Sequence, residues 1–77
     1  GAMDDSAANE LLDQAMTAVL AGSYNVRNAA GLAIRKFMEH SEEQCFQVCR
    51  LVEELENSKD EREQYLYTLV RDVASTF

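Results

Sequence analysis

Apolar residues in the second half of the chain recur every three or four positions, the spacing that places them on one face of an α-helix. One set lies between residues 45 and 55 and a second between residues 66 and 77. They are Cys45, Val48, Cys49, Val52 and Leu55, followed by Leu66, Leu69, Val70, Val73 and Phe77. Because the polar stretch between them is short, the two helices should pack as an antiparallel hairpin.

Polar residues mark the ends of these two helices. Ser41 and Gln44 have the spacing of a capping box, in which the serine hydroxyl accepts a hydrogen bond from a backbone N–H and the later residue reaches back. Ser58 and Glu61 repeat this spacing, and Asn57 before them suits the left-handed turn that closes a helix. The pattern predicts helices near residues 42–56 and 59–76.

The same periodicity in the first half predicts helices near residues 7–21 and 26–39. Ser6 and Asn25 are the expected N-caps, and Gly22 should end the first helix by adopting a positive φ. The residues expected to face the interior are Leu12, Ala15, Met16 and Val19, followed by Val26, Ala30, Ala33, Ile34, Phe37 and Met38.

Small residues surround Gly31 in the predicted second helix. Glycine inside a helix costs about 1 kcal/mol relative to alanine. Together with Ala29, Ala30 and Ala33 it forms a patch that another helix can approach closely. We expect the first helix to occupy this patch, and a helix of a partner protein is the alternative. The charged residues of the same helix are expected to face water: Arg27, Arg35 and Lys36.

These elements predict an all-α fold, either a small four-helix bundle or two stacked antiparallel helical hairpins. The sequence contains no proline and no strand-like alternation. Residues 1–3 resemble a remnant of tag cleavage and are set aside, which leaves a single domain over residues 4–77. A domain of this size holds one small core and has no room for a deep enclosed pocket.

The net charge of −7 argues against a nucleic-acid partner, because phosphates select basic surfaces. Residues 39–77 carry ten acidic and four basic residues, so a basic partner would be attracted to this half of the chain. An ordinary solvated surface is the alternative interpretation. No long apolar run or signal peptide is present, so we expect neither a membrane span nor secretion. Free cysteines suit a reducing compartment, so an intracellular location, cytoplasmic or nuclear, is expected.

Catalytic and metal-binding residues are sparse. His40 is the only histidine, and Cys45 in the next helix should face inward, so no nucleophile and base are expected to converge. Two cysteines and one histidine are too few for a structural zinc site, and the acidic runs lack the pattern of a calcium loop. We therefore expect no enzyme activity, no cofactor and no metal.

Seven apolar residues lie off the main stripes: Leu11, Leu20, Tyr24, Leu32, Phe46, Leu51 and Tyr65. Such surplus residues can form a groove for an amphipathic helix of a partner protein. Tyr65 and Tyr67 flank Leu66, so both cannot face the core. The predicted partner-binding residues are Phe46 and Leu51 as an apolar floor, with Glu53, Glu54, Glu61 and Tyr65. The alternatives are a homodimer and a fragment of a longer helical solenoid.

Two stretches resemble known families. Residues 12–40, LDQAMTAVLAGSYNVRNAAGLAIRKFMEH, resemble the first helical pair of the importin-β and exportin superfamily, which builds a HEAT repeat. The residues that carry this resemblance are Val26, Arg27, Ala29, Ala30, Phe37, Glu39 and His40. The next residue, Ser41, departs from that family, which usually has proline there. The segment NSKDEREQYLYTLV resembles the last helix of KIX-type coactivator domains, which bind short activator helices. Both resemblances imply helical protein–protein recognition.

Overall fold

The computed structural model describes residues 5–77 and contains four α-helices in this range. They are α1 (Asp5–Ala21), α2 (Tyr24–Glu39), α3 (Glu42–Val52) and α4 (Glu61–Ala74), and a 3-10 turn (Glu53–Leu55) follows α3. The described residues form no strand, which confirms the predicted all-α fold. None of the helices in this part of the chain is long and apolar enough to cross a membrane.

Helices α2 and α4 are the central elements, because each packs against the other three helices, whereas the backbones of α1 and α3 make no close contact with each other. Arg27, Gly31 and Arg35 of α2 contact successive turns of α4 in the same order, so these two helices run in the same direction. A hydrogen bond from Gln47 Nε2 to Asn9 Oδ1 (2.8 Å) links α3 to α1. The result is a flattened helical bundle of 40 × 26 × 18 Å.

Every helix contributes one face to a shared hydrophobic core. Its buried members are Leu12, Val19, Ala30, Ile34, Met38, Cys45, Val48, Val52, Leu66, Leu69, Val70 and Val73. All of these positions belong to the predicted apolar stripes. In α2, however, Val26 and Ala33 are exposed and Arg27 is buried, so the inward face of this helix is rotated from the predicted one. Phe77 is also exposed, because it lies beyond the end of α4.

The start of α2 differs from the prediction. Ser23, in an extended conformation, is the N-cap, and its Oγ accepts a hydrogen bond from Val26 N (3.4 Å). Asn25 therefore lies inside the helix, because Ser23, two residues earlier in the chain, already accepts from the free N–H of Val26. Ser6 likewise lies inside α1, whose described part begins at Asp5.

The start of α4 is set by Asp60 rather than Ser58. Asp60 Oδ1 accepts hydrogen bonds from the backbone N–H groups of Arg62 (2.9 Å) and Glu63 (3.0 Å). A carboxylate that meets two free donors at the positive end of a helix is a stronger cap than a serine hydroxyl. Ser58 instead accepts from Asp60 N and donates to Glu63 Oε1 (2.6 Å), which steadies the turn before the helix.

The capping pair at the start of α3 is present. Ser41 Oγ accepts a hydrogen bond from Gln44 N (3.1 Å), as predicted. The reciprocal bond differs, because the Ser41 hydroxyl donates to Gln44 Oε1 (3.2 Å). At its other end α3 stops at Val52, short of the predicted residue 56, and continues as the 3-10 turn.

Neither of the predicted left-handed turns occurs, since no described residue, glycine included, has a positive φ. Gly22 follows the last residue of α1 and is suited to this position for a different reason. A Cβ built on Gly22 would lie 2.5 Å from Ala18 O and 2.7 Å from Val26 Cγ1. The tight connection between α1 and α2 therefore has no space for a side chain at this position.

Candidate functional site

Gly31 allows α4 to approach α2 closely. A Cβ built on Gly31 would lie 2.9 Å from Tyr65 Oη and 3.0 Å from Leu69 Cδ1. The neighbour at this small residue is thus α4, and the expectation that α1 would occupy the patch is wrong. The reason is the rotation of α2, which buries Arg27 and Gly31 toward α4 and leaves Ala29 and Ala33 exposed.

An open groove of about 420 Å³ runs between these two helices, and we call it the α2–α4 groove. Its lining consists of Asn28, Gly31, Leu32 and Arg35 from α2 and Gln64, Tyr65, Thr68, Leu69 and Asp72 from α4. The exposed surface inside it is mostly apolar. Leu32 is 61% exposed, so this side chain contributes little to the core and stands at the groove wall.

Arg27 lies at one end of the contact between α2 and α4. Although it was expected to face water, it is only 8% exposed, and its guanidinium lies between the rings of Tyr24 (4.4 Å to the centroid) and Tyr65 (4.5 Å). Two aromatic faces attract the cation and replace part of its hydration. The charge of Arg27 does not decide its orientation, because the stacking ring of Tyr65 comes from α4, which is distant in the sequence.

The polar contacts of Arg27 are incomplete. Its buried Nε has no hydrogen-bond partner in the described part of the chain. One terminal nitrogen lies 3.9 Å from Glu61 Oε1, and the Glu61 side chain is 92% exposed. An ion pair with so exposed a partner contributes little. The two rings are therefore the main restraint on the guanidinium.

An ion pair marks the opposite end of the α2–α4 groove. The Arg35 guanidinium donates a hydrogen bond to Asp72 Oδ2 (3.1 Å). Both side chains are substantially exposed, so the pair adds little stability, but it joins the two groove walls. The contact also neutralises the charge at this end.

Gln64 attaches the segment after α3 to the start of the groove. Its Nε2 donates to the carbonyl oxygens of Leu55 (3.1 Å), Glu56 (3.3 Å) and Ser58 (2.6 Å). Leu55 ends the 3-10 turn and its carbonyl also accepts from Ser58 N (3.1 Å), whereas Glu56 and Ser58 follow the turn and their carbonyls lie outside any helix. Because Gln64 also lines the groove, the acidic turn that contains Glu53 and Glu54 is tied to its Glu61 end.

The six predicted partner-binding residues fall into separate groups. Glu61 and Tyr65 both meet Arg27 at one end of the groove, so the structure brings them together. Phe46 and Leu51 are five positions apart in α3, which places them about 140° apart around the helix. They flank the buried stripe of α3 on opposite sides, and neither lines the groove. Gly31 and Leu69 provide the apolar floor instead.

The surplus apolar residues are at the surface, as expected. Six of the seven are exposed, namely Leu11, Leu20, Tyr24, Leu32, Phe46 and Leu51, while Tyr65 is half-buried. Tyr65 and Tyr67 are both half-buried on either side of the fully buried Leu66. Leu32 and Tyr65 are the members of this set that line the α2–α4 groove.

A second, larger depression of about 700 Å³ lies between α1, α2 and α3. Leu11 and Phe37 form its apolar part, and Lys36, His40 and Glu43 add charged or polar groups. Its lining is more mixed in polarity than that of the α2–α4 groove. The latter is therefore the better candidate for binding an apolar segment.

The two thiols are free. Burial raises the pKa of the Cys45 thiol, and the neighbouring Cys49 and Glu42 raise it further. This thiol therefore stays protonated near neutral pH, and a protonated thiol is a weak nucleophile. Among residues 5–77, no three His, Cys, Asp or Glu side chains come together in a group that could hold a metal ion.

No protein-family model matches this sequence, and no curated protein or solved structure matches it either. The resemblances to a HEAT-type helical pair and to KIX-type domains therefore stay predictions.

Proposed function

We propose that this domain is a non-catalytic interaction module that binds a short amphipathic, basic helical segment of a partner protein. The observation that carries this proposal is the α2–α4 groove, an open apolar surface between two helices that run in parallel. Exposed apolar grooves of this kind are typical sites for the apolar face of a partner helix.

The length of the groove suits a short helix. Between Glu61 and Asp72, α4 extends roughly 16 Å at 1.5 Å per residue. A partner helix of about three turns has this length, and its apolar residues at i, i+4 and i+7 would lie on one side. Leu32 and Leu69 would contact those residues, with Tyr65 at one end of the row.

The charge of the domain favours a basic partner. The chain carries a net charge of −7, and Glu61 is almost fully exposed beside the groove. Opposite charges raise the rate of encounter and disfavour acidic partners. Glu53 and Glu54 add to this attraction, while Phe46 and Leu51 would take part only if the partner also extended over α3.

The proposal is tested with a set of synthetic basic amphipathic helical peptides and fluorescence anisotropy. Leu32→Asp places a charge in the groove and should weaken binding at least ten-fold, since a buried unpaired carboxylate is costly. Leu11→Asp is the matched control, because Leu11 is similarly exposed (55%, against 61% for Leu32) but lies on α1. An equal loss in both variants, or no binding by any peptide, would contradict the proposal.

Self-association is a second candidate, because Leu11, Phe46 and Leu51 are exposed outside the groove. A stable dimer of standard size buries roughly 800 Å² per protomer. The total accessible surface is 5211 Å², so such a dimer would cover a considerable part of this small domain. Light scattering across a concentration series separates the two candidates, since a monomer at high concentration excludes the dimer.

We also place the domain in the cytoplasm or the nucleus. Both cysteines are free thiols, which persist in reducing compartments. The HEAT and KIX resemblances, although they concern different parts of the chain, are in line with an intracellular interaction module.

A further inference from the structure

Charge is distributed unevenly along the α2–α4 groove. Residues 53–63 precede the groove residue Gln64, whose Nε2 holds the carbonyls of Leu55, Glu56 and Ser58, and this segment includes six acidic and two basic residues. One of the two bases, Arg62, donates to Val19 O (3.1 Å) and is thereby held against α1. The nearby cation, Arg27, lies 3.9 Å from Glu61 Oε1 and offsets one of these negative charges, so the acidic residues still outnumber the basic ones by three. This end of the groove therefore carries an excess of negative charge.

The rest of the groove lacks such an excess. Arg35 and Asp72 neutralise each other at the far end through their 3.1 Å contact. Between the two ends the lining is uncharged, with Gly31, Leu32 and Leu69 among its residues. A basic side chain placed over this middle part would lose hydration without meeting a carboxylate.

We propose that the partner segment carries its basic residues grouped at one end, and that this end binds beside Asp60 and Glu61. The apolar residues that follow contact Leu32 and Leu69, and the far end of the segment lies near the Arg35–Asp72 pair. This inference rests on the proposed function, and it adds the position and pattern of the partner's charges.

Two synthetic helical peptides of identical composition test this pattern. Both have leucines at i, i+4 and i+7, and the lysines are either grouped at one end or spread along the polar face. The grouped peptide should bind the full 77-residue chain about five-fold more tightly at low ionic strength, because several carboxylates act on it together. Equal affinities would overturn the inference, whereas no binding by either peptide would overturn the proposed function.

Charge variants identify the carboxylates responsible. E53Q/E54Q/E61Q should remove the preference for the grouped peptide. E10Q/E42Q/E43Q is the matched control, because it changes the net charge equally at residues that do not adjoin the acidic end, and it should keep the preference. Loss of the preference in both variants would show a general effect of net charge and would overturn the inference.

The position of the basic end is tested by NMR with a nitroxide label on that end of the grouped peptide. The amide signals of Gln64 and Tyr65 should broaden, while that of Asp72 should broaden much less. Equal broadening at both ends, or stronger broadening at Asp72, would overturn the inference even if the peptide binds.

Discussion

At the scale of single residues, Arg27 is the most unusual feature of the molecule. It stands at a position that helical spacing allows to face inward, three residues before Ala30, yet its charge suggested the opposite. The two tyrosine rings make burial tolerable, and the aliphatic stem of the arginine packs as an apolar group would. Arg27 thereby fixes Tyr65, which forms part of the candidate site.

Truncation of Arg27 should therefore destabilise the domain. Arg27→Ala is expected to lower the free energy of unfolding by about 2 kcal/mol, from two cation–π contacts and the lost packing of the stem. Arg27→Met keeps the packing and should cost about half as much. Urea denaturation measures both, with the exposed Arg50→Ala as a control that should change little. A methionine variant as stable as the wild type would show that the ring contacts contribute nothing net.

The buried Cys45 thiol should make the free energy of unfolding depend on pH in the alkaline range. Its pKa is raised in the folded state, mainly by burial, so the unfolded chain loses this proton at a lower pH than the folded chain. The stability that this difference in pKa contributes is fully present below the ordinary thiol pKa, and it is lost as the pH rises from there through the pKa of the folded state. The free energy of unfolding of the wild type should fall more steeply above pH 9, near the ordinary value of 9.0, than that of Cys45→Val. Parallel curves for the two proteins would contradict this account.

At the scale of helices, the close contact of α2 with α4 depends on the absence of a side chain at Gly31. The contact explains why a residue with poor helix propensity lies in the interior of α2. It also sets the depth of the α2–α4 groove, since Tyr65 and Leu69 both rest against this position.

A large side chain at Gly31 should force the two helices apart. Gly31→Leu is expected to lower the free energy of unfolding by about 2 kcal/mol through overpacking. Ala33→Leu, on the exposed side of the same helix, is the matched control and should change stability by less than about 0.5 kcal/mol. Thermal unfolding followed by circular dichroism compares them. Equal stability of the two variants would mean that α4 does not rest on Gly31.

Sequence periodicity predicted the helices and the core well, because local spacing decides which residues share a helical face. All the buried core residues, from Leu12 to Val73, belong to predicted stripes. The helix ends were harder to predict, because residues near Ser23 and Asp60 have a similar ability to cap a helix. Periodicity also gives no information on which helices pair, and so it missed the rotation of α2.

At the scale of the whole molecule, the candidate site could be predicted only in part. Glu61 and Tyr65 were expected, and one helical turn brings them to the same side of α4. Phe46 and Leu51 were grouped with them, although the groove is formed by α2 and α4 without α3. The parallel pairing of α2 with α4 joins residues about 35 positions apart in sequence, and long-range pairing of this kind leaves no local pattern.

The flattened shape of the bundle also has a consequence for binding. Because the backbones of α1 and α3 make no close contact, a depression lies between these helices in addition to the α2–α4 groove. The proposed binding site is the α2–α4 groove, where apolar lining and acidic charge occur together. The depression between α1 and α3 is the alternative binding site, and a binding experiment can distinguish the two sites.

The most direct measurement is a titration of ¹⁵N-labelled protein with a basic amphipathic helical peptide, followed through its amide chemical shifts. The account predicts that the largest changes fall on Gly31, Leu32, Tyr65 and Leu69, with small changes at Leu11 and Gln47. Changes concentrated at Leu11, Phe37 and Gln47, in the depression between α1 and α3, would contradict it.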